Sequence, residues 1–208
     1  VYNTDGTVKK TRYDGIDATG TPANATVTIV NASGGTDRVT KYDYATGSKL
    51  EESIFNYDES GKRMGSTITT FDELGGALTI STRDSQDRTT HYTDYGNLYT
   101  DSTVAEIDYT YEGDSQVPVS AVRKTVDYFT NTVTNEKEYT TENGTLQQTA
   151  ETQYVYGTDG SVKKTRYDGI DAAGTPKNAT VTITNASGGT ERETKYDYAS
   201  GAKVEEKT

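Results

Sequence analysis

Short runs in which apolar or aromatic residues alternate with Thr, Ser or charged residues recur along the whole 208-residue chain. A period of two marks a strand whose faces differ, and no stretch shows the 3.6-residue period of an amphipathic helix. The pattern predicts strands over Thr7 to Tyr13, Ala25 to Val30, Ser48 to Tyr57, Ser66 to Phe71, Ala77 to Arg83, Val122 to Phe129 and Thr145 to Tyr156. Turn signals separate them: NTDG from Asn3, ATG from Ala45, DESG from Asp58, DELGG from Asp72, ENG from Glu142 and GTDG from Gly157. Gly, and less freely Asn and Asp, reaches the positive φ that hairpin turns demand. An aromatic residue precedes most turns, at Tyr42, Tyr57, Phe71, Tyr95, Tyr111, Tyr128 and Tyr156, mostly 14 to 17 residues apart with a double step between Phe71 and Tyr95. Each step reads as one strand and one turn, about eleven in 154 residues. The expected fold class is all-β, with tandem β-hairpin repeats forming a meander or a β-solenoid, either closed into a tube or stacked in a fibre. The strand register within NLYTDSTVAEIDYTY stays open at this level.

A longer period contains the short one. VKKTRYDGID from Val8 returns unchanged from Val162, and Val1 to Ile54 aligns without a gap on Val155 to Thr208, differing at 12 of 54 positions. Residues 1–154 are therefore expected to be one full long repeat and 155–208 the start of the next copy, as in a window on a longer array. One segment breaks the short rhythm: Asp14 to Thr36 is rich in Gly, Pro and small residues and recurs from Asp168 to Thr190. It reads as a longer loop, or as an edge strand whose Pro22 blunts pairing.

Composition changes the picture in one respect. Leu, Ile, Val and Phe make up about 15% of the chain, a proportion that with high charge usually signals disorder. Here 17 Tyr and abundant Thr replace the aliphatics, and both are strand formers, so folded β structure with a thin core is expected. The net charge of −11 opposes nucleic-acid binding, which needs a basic face. The absence of Cys excludes disulfides and thiolate metal sites. No stretch approaches the roughly 20 apolar residues of a membrane span.

Tyr57-Asp58-Glu59-Ser60-Gly61 and Phe71-Asp72-Glu73-Leu74-Gly75 resemble the YD-repeat pattern of Rhs proteins and teneurins, in which Tyr-Asp-x-x-Gly opens a hairpin of a long wound β ribbon. Tyr-Asp recurs at Tyr13-Asp14, Tyr42-Asp43, Tyr167-Asp168 and Tyr196-Asp197, and aromatic-x-x-x-Gly at Tyr2 to Gly6 and Tyr156 to Gly160. The resemblance implies an extracellular repeat scaffold, a shell around a cargo or a surface fibre. It transfers no catalytic residue, and near-identity over the long repeat favours the fibre.

Candidate chemistry is sparse. His91 is the only histidine, so a dyad of two histidines is impossible, and neither a G-x-S-x-G elbow nor a phosphate loop is present. No enzyme activity is expected. Asp14 and Asp17, with their copies Asp168 and Asp171, are candidate Ca²⁺ ligands because hard oxygen donors on a flexible loop suit that ion, with Asp5 and Asp159 as outer candidates. The common alternative is an acidic turn without metal, and no other cofactor is expected. Asn24, Asn31, Asn143, Asn178 and Asn185 stand in Asn-x-Ser/Thr sequons, where turn chemistry competes with glycosylation. Tyr rows at matching strand positions would form ladders or present an aromatic face to glycans or to a neighbouring copy. The function expected is a structural component of a microbial extracellular filament or cell-surface fibre, its partners being further copies of itself. A carbohydrate-binding adhesin stalk or phage tail fibre, and a YD-type shell around a toxin, are the alternatives.

Overall fold

The computed structural model describes residues 1–96 and 102–208, and the chain divides into two compact units, Val1–Asn97 and Leu98–Thr208. All regular elements of the described residues are β-strands. The first unit holds β1 (Val8–Asp14), β2 (Asn24–Val30), β3 (Thr36–Asp43), β4 (Lys49–Tyr57), β5 (Arg63–Phe71), β6 (Ala77–Asp84) and β7 (Thr89–Asp94). The second holds β8 (Thr103–Thr110), β9 (Ser120–Asp127), β10 (Thr132–Glu142), β11 (Thr145–Tyr156), β12 (Val162–Asp168), β13 (Asn178–Thr184), β14 (Thr190–Asp197) and β15 (Lys203–Lys207).

Within each unit every strand pairs antiparallel with the next one in sequence. The architecture is thus all-β, an open meander of hairpins, and no ladder among the described residues joins the first strand of a unit to its last. Eleven strands fall between Val8 and Tyr156, matching the count of strand-and-turn steps. The double step after Phe71 holds two strands, β6 and β7, whose intervening turn follows Arg83 instead of an aromatic.

Three local expectations are corrected. The segment from Asp14 to Thr36 is no edge strand: Pro22 lies in the loop before β2, and β2 is paired on both sides, with β1 and β3. β5 begins at Arg63, earlier than its Thr-rich run. β9 stops at Asp127, so Tyr128 and Phe129, good strand formers, stand in the turn because the Asp127 carboxylate captures the Thr130 amide at 2.8 Å. In NLYTDSTVAEIDYTY the register of β8 on β9 runs from Thr103↔Asp127 to Thr110↔Ser120, while Asn97 to Asp101 lie outside the described residues.

The core is as thin as the composition foretold. Fully buried apolar side chains among the described residues are Val104, Ala121, Val126, Ala150 and Ala179, and Thr40, Ser53, Ser66, Thr93, Thr152 and Thr194 are buried with them. Burial comes from lateral rows across the strands. One runs Thr11, Val27, Thr40, Glu52, Thr69, Ile80, Thr93, where each cross-strand pair contributes roughly 0.2–1 kcal/mol. Another arrangement recurs three times, with an alanine between two tyrosines: Tyr13–Ala25–Tyr42, Tyr109–Ala121–Tyr139 and Tyr167–Ala179–Tyr196. Ala121 and Ala179 are buried in this arrangement, and Ala25 is half-buried.

Candidate functional site

The residues that define the repeat build its turns. Asp58 donates its amide to the Lys62 carbonyl at 3.0 Å, and its own carbonyl accepts the Gly61 amide at 3.0 Å. Its carboxylate accepts the Ser60 and Lys62 amides at 2.9 and 3.0 Å and the Ser60 hydroxyl at 2.6 Å. Asp72 does the same with Leu74, Gly75 and Gly76. Asp17, Asp171, Asn31, Asn185 and Asp84 repeat the pattern. One side-chain oxygen thereby satisfies two loop amides, and the fourth residue must turn left-handed to close the bulge. Gly61 and Gly75 do so at φ 83° and 84°. In the Asp84 turn that position falls to Asp87 at φ 62°, whose carboxylate is anchored by Arg63 at 2.5 Å.

Asp43, Asp127 and Asp197 open turns one residue longer, closed by Gly47, Asn131 and Gly201. The aromatic before the Asp has its own task. The Tyr57 hydroxyl donates to the Thr36 carbonyl at 2.8 Å with its ring beside Gly35, so it pins the Asn31 turn to the Asp58 turn. Tyr156 donates likewise to the Val133 carbonyl at 2.9 Å.

These turns also set the acid response. Hydroxyl donors hold the carboxyls of Asp5, Asp17, Asp58, Asp159 and Asp197 below 3.8, and amide donors do so for Asp43 and Asp127. At Asp84 burial pushes upward most strongly of any single cause, but the Arg88 guanidinium at 2.7 Å and the Arg88 and Gln86 amides together hold the carboxyl below 3.8. A carboxyl with a lowered folded pKa favours the fold while ionised. Its contribution is full above the unfolded value of 3.8 and is lost as pH falls through the lower folded values. The denaturation midpoint is expected to stay level from about pH 7 to 5 and to fall steadily below about pH 4. A midpoint unchanged down to about pH 2 would show that the Asp side chains do not hold the turns.

The sequence-predicted ligands are placed apart in role. Asp14 ends β1 and meets the Arg12 guanidinium at 2.7 Å, whereas Asp17 turns its carboxylate onto Thr19 and Thr21 of its own loop. In the second copy Asp168 pairs with Arg166 at 2.8 Å and Asp171 with the Ala173 and Thr175 amides. Among the described residues no group of three or more His, Cys, Asp or Glu is placed to hold a metal ion. Of the sequon residues, Asn24 and Asn178 open β2 and β13 opposite Asp14 and Asp168. The side-chain oxygens of Asn31 and Asn185 are engaged in turns, and the Asn31 amide donates to Asp37 at 2.7 Å. Asn143, at φ 51°, forms with Gly144 a two-residue hairpin turn. The His91 ring lies 3.1 Å from the Thr93 hydroxyl on β7.

Sequence reasoning missed a charged arch. Arg166 on β12 reaches across β11 to Glu138 on β10, with Nη1 to Oε1 at 2.5 Å and Nη2 to Oε2 at 3.0 Å, while Nε donates to Asp168 at 2.8 Å. The Arg166 bond holds the Glu138 carboxyl below 4.5, and Glu138 in turn raises the guanidinium's pKa. Beneath the arch Ala150 and Thr152 are 2% and 1% exposed. The 28-residue separation hides the pair until the hairpin registers are known.

No family model and no curated protein matches this chain. Among solved structures, a TcdB2–TccC3 crystal structure aligns with 93% of this chain at 9% identity and a TM-score of 0.19. A Photorhabdus luminescens Tc holotoxin pore carrying a TccC3 variant aligns with 90% at 11% identity and a TM-score of 0.17. Both likenesses are loose, and this chain spans 15% of the length of either chain.

Proposed function

We propose that this protein is a structural tandem-repeat component of an extracellular filament or cell-surface fibre. One observation carries the reading: the strand registers recur at the 154-residue offset. Val8↔Val30 to Asp14↔Asn24 returns as Val162↔Thr184 to Asp168↔Asn178, and the irregularity after Ile29 returns after Ile183. Even the edge-to-face ring pair repeats, Tyr13 with Tyr44 at 5.7 Å and Tyr167 with Tyr198 at 5.9 Å. Equivalent units offer equivalent surfaces, so contacts made by one can be made by the next without limit. Exposed aromatic and aliphatic side chains such as Tyr13, Ile54, Phe129 and Val155 supply apolar area for such contacts, while the net charge of −11 restrains indiscriminate clumping.

Electron microscopy of the protein at high concentration is expected to show uniform filaments with an axial repeat commensurate with the 154-residue unit. Monodisperse particles at every concentration would overturn the reading. The second reading is a YD-type shell, favoured by the Tyr57–Gly61 turn and its hydroxyl tether to Thr36. It predicts hollow particles in the same images.

A further inference from the structure

Two tyrosine pairs stand edge to face at the same places in the two copies of the long repeat. Tyr13 of β1 and Tyr44 have ring centroids 5.7 Å apart and planes at 88°, and Tyr167 of β12 and Tyr198 stand at 5.9 Å and 86°. The backbone sets both pairs. Tyr13 and Tyr42 lie opposite Ala25 from either side of β2, and the Tyr44 amide donates to the Ala23 carbonyl at 3.0 Å, so the chain beyond β3 stays against the entry to β2. Side chains alternate along an extended chain, which returns Tyr44 to the face of Tyr42 and Tyr13. In the second copy Tyr167 and Tyr196 lie opposite Ala179, and the Tyr198 amide donates to the Lys177 carbonyl at 3.1 Å. Alanine at 23 is lysine at 177, yet the ring pair returns, so it does not depend on the side chain at that position.

Two phenols held in contact have a chemistry that one alone lacks. One-electron oxidation of tyrosine gives a phenoxyl radical whose unpaired electron is shared with the ring carbons ortho to the oxygen, and two such radicals join through those carbons. A neighbour already in contact turns that encounter into an effectively unimolecular step. Exposed side chains reorient in picoseconds to nanoseconds, which brings ring edge to ring edge before a second chain arrives by diffusion. Solvent reaches the pairs where strands lie on both sides: Tyr44, ahead of β4, is 45% exposed, and Tyr167, between β11 and β13, is half-buried.

We propose that Tyr13–Tyr44 and Tyr167–Tyr198 are oxidative cross-linking sites, each pair joined as dityrosine by a haem peroxidase and hydrogen peroxide. Each phenol gives up one electron and one proton, a carbon–carbon bond forms between the ortho positions, and the hydrogens those carbons carried move to the ring oxygens. One hydrogen peroxide is reduced to two waters for each bond formed. The partners are 31 residues apart in each copy. The bond ties β1 to the end of β3 across β2, and β12 to the end of β14 across β13, and it constrains the unfolded chain as a disulfide would in a protein that has no Cys. Cross-linking is a property of the single chain and goes beyond the filament reading, on which it does not rest.

The test exposes the full 208-residue chain, at dilution, to a haem peroxidase and hydrogen peroxide, isolates the monomer and maps its peptides by mass spectrometry. Peptides joined at Tyr13–Tyr44 and at Tyr167–Tyr198, each two hydrogens lighter than the sum of its parts, are the expected result. Tyr44→Phe is expected to remove the first cross-link and leave the second, and Tyr198→Phe the reverse. Each single variant lowers the monomer's dityrosine fluorescence by about half, and the double variant lowers it at least about tenfold. Phenylalanine keeps the ring contact and lacks the phenol, so the fold is retained. Tyr128 is the internal control: it is 50% exposed, but its ring partner at 5.7 Å is Phe129. Monomer cross-links through Tyr128 at comparable yield, or a monomer free of cross-links, overturn the proposal.

Discussion

Replacing Gly65 with alanine is expected to destabilise the protein by about 3 kcal/mol. Gly65 is buried within β5, between Asn56 of β4 and Asp84 of β6. A Cβ there would meet the Arg83 carbonyl oxygen at 2.2 Å, well inside van der Waals contact. That oxygen belongs to the backbone of β6, so it yields only if the β5–β6 ladder opens. The sign makes the result diagnostic, because glycine in a strand interior ordinarily costs roughly 0.5–1 kcal/mol relative to alanine. Gly61→Ala supplies the comparison. Its Cβ meets open space, and only the φ of 83° opposes it, at about 1–2 kcal/mol. Urea denaturation of the two variants decides the point: a Gly65→Ala loss no larger than that of Gly61→Ala would mean the strands do not approach so closely.

Such close approach explains what could be read from the residues and what could not. Turns were legible because their chemistry is local: Asp58 and Asp72 carry the side-chain acceptor with the left-handed glycine three residues on, and Asn143-Gly144 supplies two adjacent left-handed positions. β11 runs over Thr145–Tyr156, as its alternation predicts. Gly65 precedes the Ser66 to Phe71 run that the alternation predicts, so its place inside β5 was not legible, and what approaches it depends on the β6 register. The same holds for the alanines. Ala25 and Ala179 look unremarkable until pairing places each between two tyrosines. Where propensity misled, a polar side chain had the deciding bond: Tyr128 and Phe129 favour a strand, yet Asp127 bends the chain before them. The candidate Ca²⁺ ligands illustrate a further limit, since composition shows carboxylates together but not that Asp17 spends its oxygen on Thr19 and Thr21.

The second large effect is expected at Ala150, where leucine should cost about 2–3 kcal/mol. Ala150 faces Glu138 on one side and Asp168 on the other, and the Arg166 side chain must cross β11 above it to reach Glu138. A methyl fits under that span, with 2% of the residue exposed; an isobutyl group does not. Leucine therefore has two outlets, either pushing the guanidinium off the carboxylate or distorting the strand, and both are destabilising. pH separates them. Glu138 has its folded pKa lowered chiefly by the Arg166 bond, so the arch stabilises the fold fully above the unfolded value of 4.5 and loses its contribution as pH falls through the lower folded value. If leucine acts by breaking the arch, the stability gap between parent and variant narrows as pH drops from about 7 to 3, because acid removes from the parent what the substitution removed from the variant. A gap of constant width across that range would assign the whole cost to packing and leave the arch without a share in stability. The charge pair thus spans β10, β11 and β12 over two small buried residues, in a chain poor in aliphatic side chains.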